Sequence, residues 1–485
     1  MASDWNQDSL RARFCHALSE MYKTEVPLYG NLIDIVLEAD TKALQSTKSN
    51  ETLPTNPDEV LPPRHRVERH GAIRLGTPHE LSTIRRMFAV MGMYPVGYYD
   101  LSLAGFPMHA TAFRPTTSEA LAAHPFRVFT TVLRMELLTS KTRALAKKAL
   151  DQRDIFTPRL LALLDIVESR GSLSPDECVE FIDNGLETFR WHSKTTVTLD
   201  EYTILKAEHA LIADIVSFPN AHINHLTPRT IDIDLVQRLM VEHGMPAKER
   251  IEGPPRRECP ILLRQTSFKA LQETVYFSDD SGSGEFVRGS HTARFGEVEQ
   301  RGYALTRKGR QFYDQILNQV NDLAAQNEKR SDSTEYESLL AKSFEIFPDT
   351  LPALREGGLA YFCYRLTPAG EKYAEHRDDD LGVFVSPDGE ATESVTELLN
   401  KGVLDYDPLT YEDFLPLSAG GIFNSNLGDV SQSKQLIMNA ESDLDGFQRG
   451  LGTYVADEFH LYAEMQRGSL EVCRQKLGLR EILMV

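Results

Sequence analysis

Two short stretches carry a histidine four residues before an arginine: "RHGAIR" holds His70 and Arg74, and "NHLTPR" holds His225 and Arg229. A third, "RFGEVEQR", holds two carboxylates two residues apart, Glu297 and Glu299. Alternate side chains of a strand share a face, so His70 should lie on the side of Arg74, His225 on that of Arg229, and Glu297 on that of Glu299. Two histidines and one carboxylate meeting at one end of paired sheets form the facial set that holds Fe(II) and leaves three positions open. Three ligands and a water suit a catalytic zinc equally well, so residue types alone do not choose the metal. Nor does alternation choose between Glu297 and Glu299. His222 is an odd number of residues from His225, should face the other way, and reads as a packing histidine.

The elements that must bring these residues together follow a pattern. "RHGAIRLG" reads as a strand, and "TPHELSTIRRMFAVMGM" as a helix with a Thr cap, Pro at its first position and a Gly near its end. "YPVGYYDLS", "HATAFRPT" and "FRVFTTVLRMEL" are rich in aromatic and β-branched residues and read as strands, which completes βαβββ. The same order returns from "INHLTPRTIDIDLVQRLMVEHGM" through "ILLRQTSFKALQETVYFS" to "HTARFGEVEQRGYAL". Overlaid, the copies set Thr130 against Glu297, so the pair offers two histidines and a single carboxylate.

The fold expected is therefore α+β, with tandem βαβββ modules forming a partly open barrel. The expected division is N-terminal helices and linker over 1–58, a first module over 59–140, a helical insertion over 141–214, a second module over 215–305, and a mainly helical region covering the barrel over 306–485. Ser174-Pro-Asp-Glu177 has the form of a capping box inside the insertion. Asp232 and Asp234, just before a helical run, read as capping residues rather than a second metal site. "SDDSGSGEF" lacks the Lys-Ser/Thr ending of a phosphate-cradling loop and reads as a hairpin turn.

Composition narrows the function. The chain has 485 residues, 41% hydrophobic and 25% charged, with a formal net charge of −19. An acidic surface without a basic patch argues against nucleic-acid binding. No apolar run approaches the roughly 20 residues of a membrane span, and no secretory signal pattern opens the chain, so a cytoplasmic location is expected. The five cysteines are scattered without a CxxC pair and read as buried reduced thiols.

Tandem βαβββ modules with these ligands resemble the vicinal oxygen chelate architecture. "GEVEQR" is similar to the iron-binding strand of the 4-hydroxyphenylpyruvate dioxygenases, where Glu falls three residues before Gln-Arg, which selects Glu297. "RHGAIR", "NHLTPRTIDID", "RFGEVEQRGYALT" and "YEDFLPLSAGGIFNSNLG" together resemble the 2-oxoadipate dioxygenase/decarboxylases, an Fe(II) family of lysine catabolism. The resemblance implies that His70, His225 and Glu297 bind Fe(II), that Arg74 holds the distal carboxylate of the substrate, and that Leu417 and Ser418 close over it. It further implies that 2-oxoadipate and O2 give 2-hydroxyglutarate and CO2.

Geometry is consistent with the arginine assignment. Four strand residues span about 13 Å, the side chain can lean back towards the metal, and a six-carbon dicarboxylate fits the remaining gap. A guanidinium also grips a carboxylate by two parallel hydrogen bonds. The competing readings are a zinc or nickel isomerase or hydrolase of the same architecture, and a non-catalytic small-molecule binding protein.

Overall fold

A computed structural model of the chain describes residues 5–46, 56–67, 70–279, 285–326, 333–376, 392–415, 437–438 and 440–484. The chain divides into two units, Met1–Gly253 with Arg264–Gln300 and Asp413–Ala456, and Pro254–Leu263 with Arg301–Glu412 and Asp457–Val485.

In the first unit the expected order opens as read: β1 (His70–Leu75), a helix Pro78–Val90, then β2 (Tyr94–Asp100), β3 (Met108–Arg114) and β4 (Arg127–Leu133). Thr77 caps the helix by accepting from the Glu80 amide, with Pro78 at the first position. Sheet order is β2-β3-β4-β1, extended beyond β1 by a three-residue strand β6 (His225–Thr227). β1 runs parallel to β4 and antiparallel to β6. Alternation sorts β1 cleanly. Ile73 and Leu75 enter an apolar core with Ile84, Met87, Phe88, Val128 and Val132, whereas His70, Ala72 and Arg74 occupy the opposite face. Two N-terminal helices, Gln7–Glu25 and Pro27–Ser46, add Phe14, Leu18, Tyr29 and Leu32 to that core.

The stretch read as a second βαβββ module departs from that order, with four strands after its helix, and its first strand joins the sheet of β1. After β6 come a helix Ile233–Glu242 capped by Asp232, then β7 (Leu263–Ser267), β8 (Gln272–Ser278), β9 (Phe286–Thr292) and β10 (Glu297–Arg301). β7 pairs with β10, while β8 and β9 form an antiparallel hairpin extended by β5 (Lys194–Thr198) from the helical insertion. Among the described residues the sheets stay open and no barrel closes. The stretch read as one strand from His291 to Glu299 is in fact two. The backbone breaks at residues 293–296, where a side chain at Gly296 would place its Cβ 2.4 Å from Phe268 Cε1, and where Arg294 turns aside to Glu25 and Glu273. The loop read as a hairpin turn does join β8 to β9, although its tip lies outside the described residues. The insertion is helical apart from β5, and Ser174 and Glu177 make the capping box.

In the second unit a helix Arg307–Gln326 buries Tyr313, Ile316 and Val320. Strands β11 (Phe362–Leu366) and β13 (Leu404–Pro408) pair antiparallel, and β12 (Thr392–Ser394) pairs in parallel with β14 (Glu481–Leu483). Four cysteines are buried, but Cys363 is exposed, because β11 turns Phe362 and Tyr364 inward and the residue between them outward. Among the described residues no helix is long and apolar enough to cross a membrane.

Gly71 sets how closely β6 approaches β1. A Cβ there would lie 2.7 Å from Ile223 Cδ1 and 3.0 Å from both the His225 carbonyl oxygen and Leu226 Cδ2. Gly71→Ala should therefore lower stability by about 1–3 kcal/mol, as overpacking of a tight core does. Gly30→Ala, in a helix with nothing within 4 Å of the added carbon, should stabilise by roughly 0.5–1 kcal/mol. Urea unfolding of both variants checks the contrast, and equal midpoints would refute it.

Candidate metal centre

Strand register assembles the site. Across the β1–β6 ladder His70 stands opposite Thr227, and Ala72 opposite His225. Opposite residues share a face, as do residues two apart, so His70, Thr227 and His225 project together. The third candidate ligand arrives on a neighbouring backbone. Phe295 N donates to Asn224 O at 3.1 Å and Glu299 N to Pro228 O at 3.1 Å, so residues 295–299 run beside 224–228 with Glu297 midway. Behind this pair the Tyr22 hydroxyl reaches the carbonyls of both Asn224 (2.9 Å) and Phe295 (2.7 Å).

His70, His225 and Glu297, all fully buried, present donor atoms within 4.8 Å of one another. Among the described residues no other group of three or more His, Cys, Asp or Glu comes together in this way. Their donor atoms are incompletely used. Both ring nitrogens of His225 and Glu297 Oε2 have no hydrogen-bond partner, in an interior where an unmet polar atom is costly. Glu297 Oε1, by contrast, is crowded: His70 Nε2 lies 2.9 Å away, Thr227 Oγ1 donates at 3.2 Å and Gln265 Nε2 at 2.5 Å. Two imidazoles and a carboxylate with unspent lone pairs fit a divalent cation with open positions.

Glu297 and Glu299 do share a face, and His70 separates them. Glu297 meets Nε2, while Glu299 Oε2 meets Nδ1 at 2.9 Å. Glu299 thus holds the proton on Nδ1 and turns Nε2 towards the cluster, the usual arrangement of a carboxylate behind a ligating histidine. Arg127, opposite His70 on β4, lies 3.8 Å from Glu299. Burial disfavours charge on His70, but the two glutamates outweigh it and raise its pKa. Burial, reinforced by the charges of His70, Arg74 and Lys248, holds His225 well below the ordinary histidine value, so it stays neutral and able to bind a metal. Burial also pushes the Lys248 ammonium down to about 7, against the pull of Glu252 and Glu297.

Rings enclose the cluster. Phe414 meets His70 edge-on at 4.9 Å, and Phe295 stacks on His225 at 4.8 Å. Asp413, next to Phe414, is clamped by Arg114 at the end of β3 through two hydrogen bonds of 2.7 and 3.0 Å. Leu417 and Ser418, three and four residues beyond Phe414, lie outside the described residues.

Arg74 shares the face of His70 but not its partners. Its Nη1 donates to Asp214 Oδ2 at 2.7 Å, both side chains being buried. His222 stands apart from the metal cluster, 3.2 Å from Asp214, as its different facing suggests. Thr227 and Glu299 were detectable as neighbours two residues from a ligand, and Gln265 as a polar residue in the apolar "ILLRQTSF". Asp214 was the lone carboxylate of the apolar "ALIADIVS".

Comparison with known proteins identifies the family. The family model for 2-oxoadipate dioxygenase/decarboxylase matches residues 14–426. The proteins of that name from Escherichia coli and Pseudomonas putida are respectively 47% identical over 476 residues and 48% identical over 475, covering 98% and 97% of this chain and 99% and 97% of their own lengths. The crystal structure of the hydroxyglutarate synthase in complex with 2-oxoadipate from Pseudomonas putida superposes with a TM-score of 0.83 at 45% identity, covering 99% of this chain and 100% of that one. Sharing nearly half its residues with these proteins over almost all of its length, the chain belongs to the 2-oxoadipate dioxygenase/decarboxylase family.

Proposed function

We propose that this protein is a mononuclear Fe(II) enzyme converting 2-oxoadipate and O2 to 2-hydroxyglutarate and CO2. The observation that carries the reading is the buried His70–His225–Glu297 cluster with its unspent donor atoms, in a chain of this family. The atoms balance: one oxygen of O2 enters the new carboxylate and the other the hydroxyl. A vicinal-oxygen-chelate plan of two βαβββ copies is part of this reading; the order β1, helix, β2, β3, β4 and the joining of β6 to that sheet are what support it.

Iron held by His70, His225 and Glu297 supplies the place where the 2-oxo acid and O2 meet, and the electrons that activate O2. Everything else falls to the chain. Glu299 keeps the Nδ1 proton of His70, Thr227 and Gln265 aim Glu297, and Phe295 and Phe414 keep water from the ligands. Arg74, on the same face as His70, takes the distal carboxylate and thereby holds the chain so that the C–H presented for hydroxylation is the one beside the newly formed carboxylate. Leu417 and Ser418 complete the enclosure, a role supported by their closeness in sequence to Phe414 and the clamped Asp413.

The reading is tested by loading the protein anaerobically with Fe(II), adding 2-oxoadipate and following O2 uptake and CO2 release. A zinc or nickel isomerase or hydrolase would consume no O2, and a binding protein would turn nothing over. His70→Ala, His225→Ala and Glu297→Ala should each lose iron on dialysis and abolish turnover while unfolding cooperatively, since the ligands lie apart from the apolar core. Retention of stoichiometric iron by all three would refute the ligand set.

Glu299→Gln should leave the three ligands in place yet lower iron affinity by about 10- to 100-fold, the usual effect of losing a carboxylate behind a ligating histidine. Competition with a chelator measures it, and an unchanged affinity would assign Glu299 to the fold alone.

Arg74→Ala should keep iron and lose on the order of 2–5 kcal/mol in kcat/KM for 2-oxoadipate, much of it from leaving a buried carboxylate unpaired. Arg74→Lys should recover only part, because an ammonium lacks the two-pronged geometry. A monocarboxylic 2-oxo acid should be disfavoured relatively less by Arg74→Ala. If the ratio of kcat/KM for the two acids is the same in native and Arg74→Ala enzyme, Arg74 does not read the distal carboxylate.

A further inference from the structure

A second buried polar cluster lies behind Arg74. Asp214 sits in the helix Ala210–Ser217, whose other residues are almost all apolar. Its two oxygens have different partners: Oδ2 accepts from Arg74 Nη1 at 2.7 Å, and Oδ1 accepts from His291 Nε2 at 2.8 Å, with His222 Nε2 at 3.2 Å. His291 is held in turn, because the Tyr202 hydroxyl meets its Nδ1 at 2.9 Å. With Nε2–H pointing to Asp214, Nδ1 is the acceptor and Tyr202 the donor, so a neutral imidazole satisfies both contacts. Trp191 and Phe218 wall the two histidines, Trp191 meeting His222 edge-on at 4.7 Å and Phe218 lying 4.9 Å from His291.

A separate partner on each oxygen fixes the carboxylate plane, and with it the guanidinium that Asp214 holds. Burial alone would raise the Asp214 carboxyl, but His222, Arg74 and the hydrogen bond from His291 outweigh it and keep the group well below the usual carboxylate range. The ion pair with Arg74 and the hydrogen bond from His291 favour the anion. Arg294, the other cation beside this aromatic wall, already serves Glu25 and Glu273. A guanidinium is a planar fork of N–H donors, so a contact to Asp214 through Nη1 fixes the plane in which the remaining donors point.

We propose that Asp214, backed by His291 and Tyr202, is the positioning residue that orients Arg74 and so sets the preference for a dicarboxylic over a monocarboxylic 2-oxo acid. The proposal rests on the reading of Arg74 as the residue for the distal carboxylate. A guanidinium anchored at one end presents its fork at a fixed distance from the metal cluster, whereas an unanchored one samples several rotamers and loses discrimination by length and charge.

The test is binding without turnover: Fe(II)-loaded protein is titrated anaerobically with 2-oxoadipate and with 2-oxohexanoate, and the ratio of the two affinities is compared across variants. Asp214→Asn is the conservative change. Its amide oxygen can still accept from Arg74, and its NH2 can donate to His291 once that ring moves its proton to Nδ1 and donates to Tyr202. Relative to native protein, the preference should fall on the order of tenfold in Asp214→Asn, further in Asp214→Ala, and only a few-fold in Tyr202→Phe, with iron content unchanged throughout. A role confined to stability would weaken both acids alike and leave the ratio untouched, which overturns the proposal. A preference that rises in Asp214→Asn also overturns it, since Asp214 would then compete with the substrate for Arg74. Should Asp214→Ala not fold, Asp214→Asn and Tyr202→Phe decide the matter. If native protein itself shows no preference, the reading of Arg74 fails and this proposal with it, an outcome distinct from a native preference that the variants retain.

Discussion

The pairing of β1 with β6 is the contact on which the rest of the site depends. Three residues of β6 are enough, because register and alternation together place His70, Thr227 and His225 on one face. The approach is close only because residue 71 has no side chain. Moving β6 by one residue along β1 would turn His225 towards the apolar core and leave His70 without a second ligand. Pro228, immediately after β6, cannot donate to a ladder, yet its carbonyl accepts from Glu299 and carries the pairing on to the strand that brings the carboxylates. One short strand thus links the backbones that supply all three candidate ligands.

Gathering these groups costs desolvation, and the structure answers by grouping charges into two neighbouring sets. In one, His70 lies between Glu297 and Glu299, with Arg127 beyond. In the other, Asp214 lies between Arg74 and His291. The sets differ at their carboxylates. Asp214 has a partner on each oxygen, whereas His225 and Glu297 Oε2 keep unmet lone pairs. Unmet lone pairs on two of the three candidate ligands are what a bound cation would use, whereas a carboxylate held at both oxygens is fixed in place, even though His222 beside it has no hydrogen-bond partner on either ring nitrogen.

How much of this was legible follows from the range of each interaction. Alternation within a strand is local, so the shared faces of His70 with Arg74 and of Glu297 with Glu299 could be read directly, as could the Thr77 and Asp232 caps. The choice of Glu297 needed family resemblance, because the difference between the glutamates lies in which nitrogen of a distant His70 each one meets. The sharing of strands between the two copies was not legible. It depends on Gly71 admitting β6 and on Gly296 and Arg294 breaking the last strand, and those are properties of packing partners, such as Ile223, Phe268 and Glu25, that lie outside the local sequence. Asp214 was missed for a related reason. Its helix looked like core, and a buried carboxylate betrays its cation only once the fold shows which arginine faces it.

Placing a ligand and an arginine on one face of one strand has a consequence that two separate strands would not give. The spacing between the backbones of His70 and Arg74 is then set by the rise of the strand, about 3.3 Å per residue, and cannot drift as loops move. The sheet stiffens this ruler from both sides, since β4 and β6 flank β1 at His70 and β4 continues beside Arg74, where Thr131 stands opposite. Only the side chain of Arg74 remains adjustable, and it is the part that Asp214 holds. Under the proposed function, a substrate anchored at both ends by such a frame would have its reacting carbon placed by its own chain length. Selectivity for one dicarboxylate among its homologues then needs no steric wall, because a chain one carbon shorter or longer cannot satisfy metal and guanidinium together without strain.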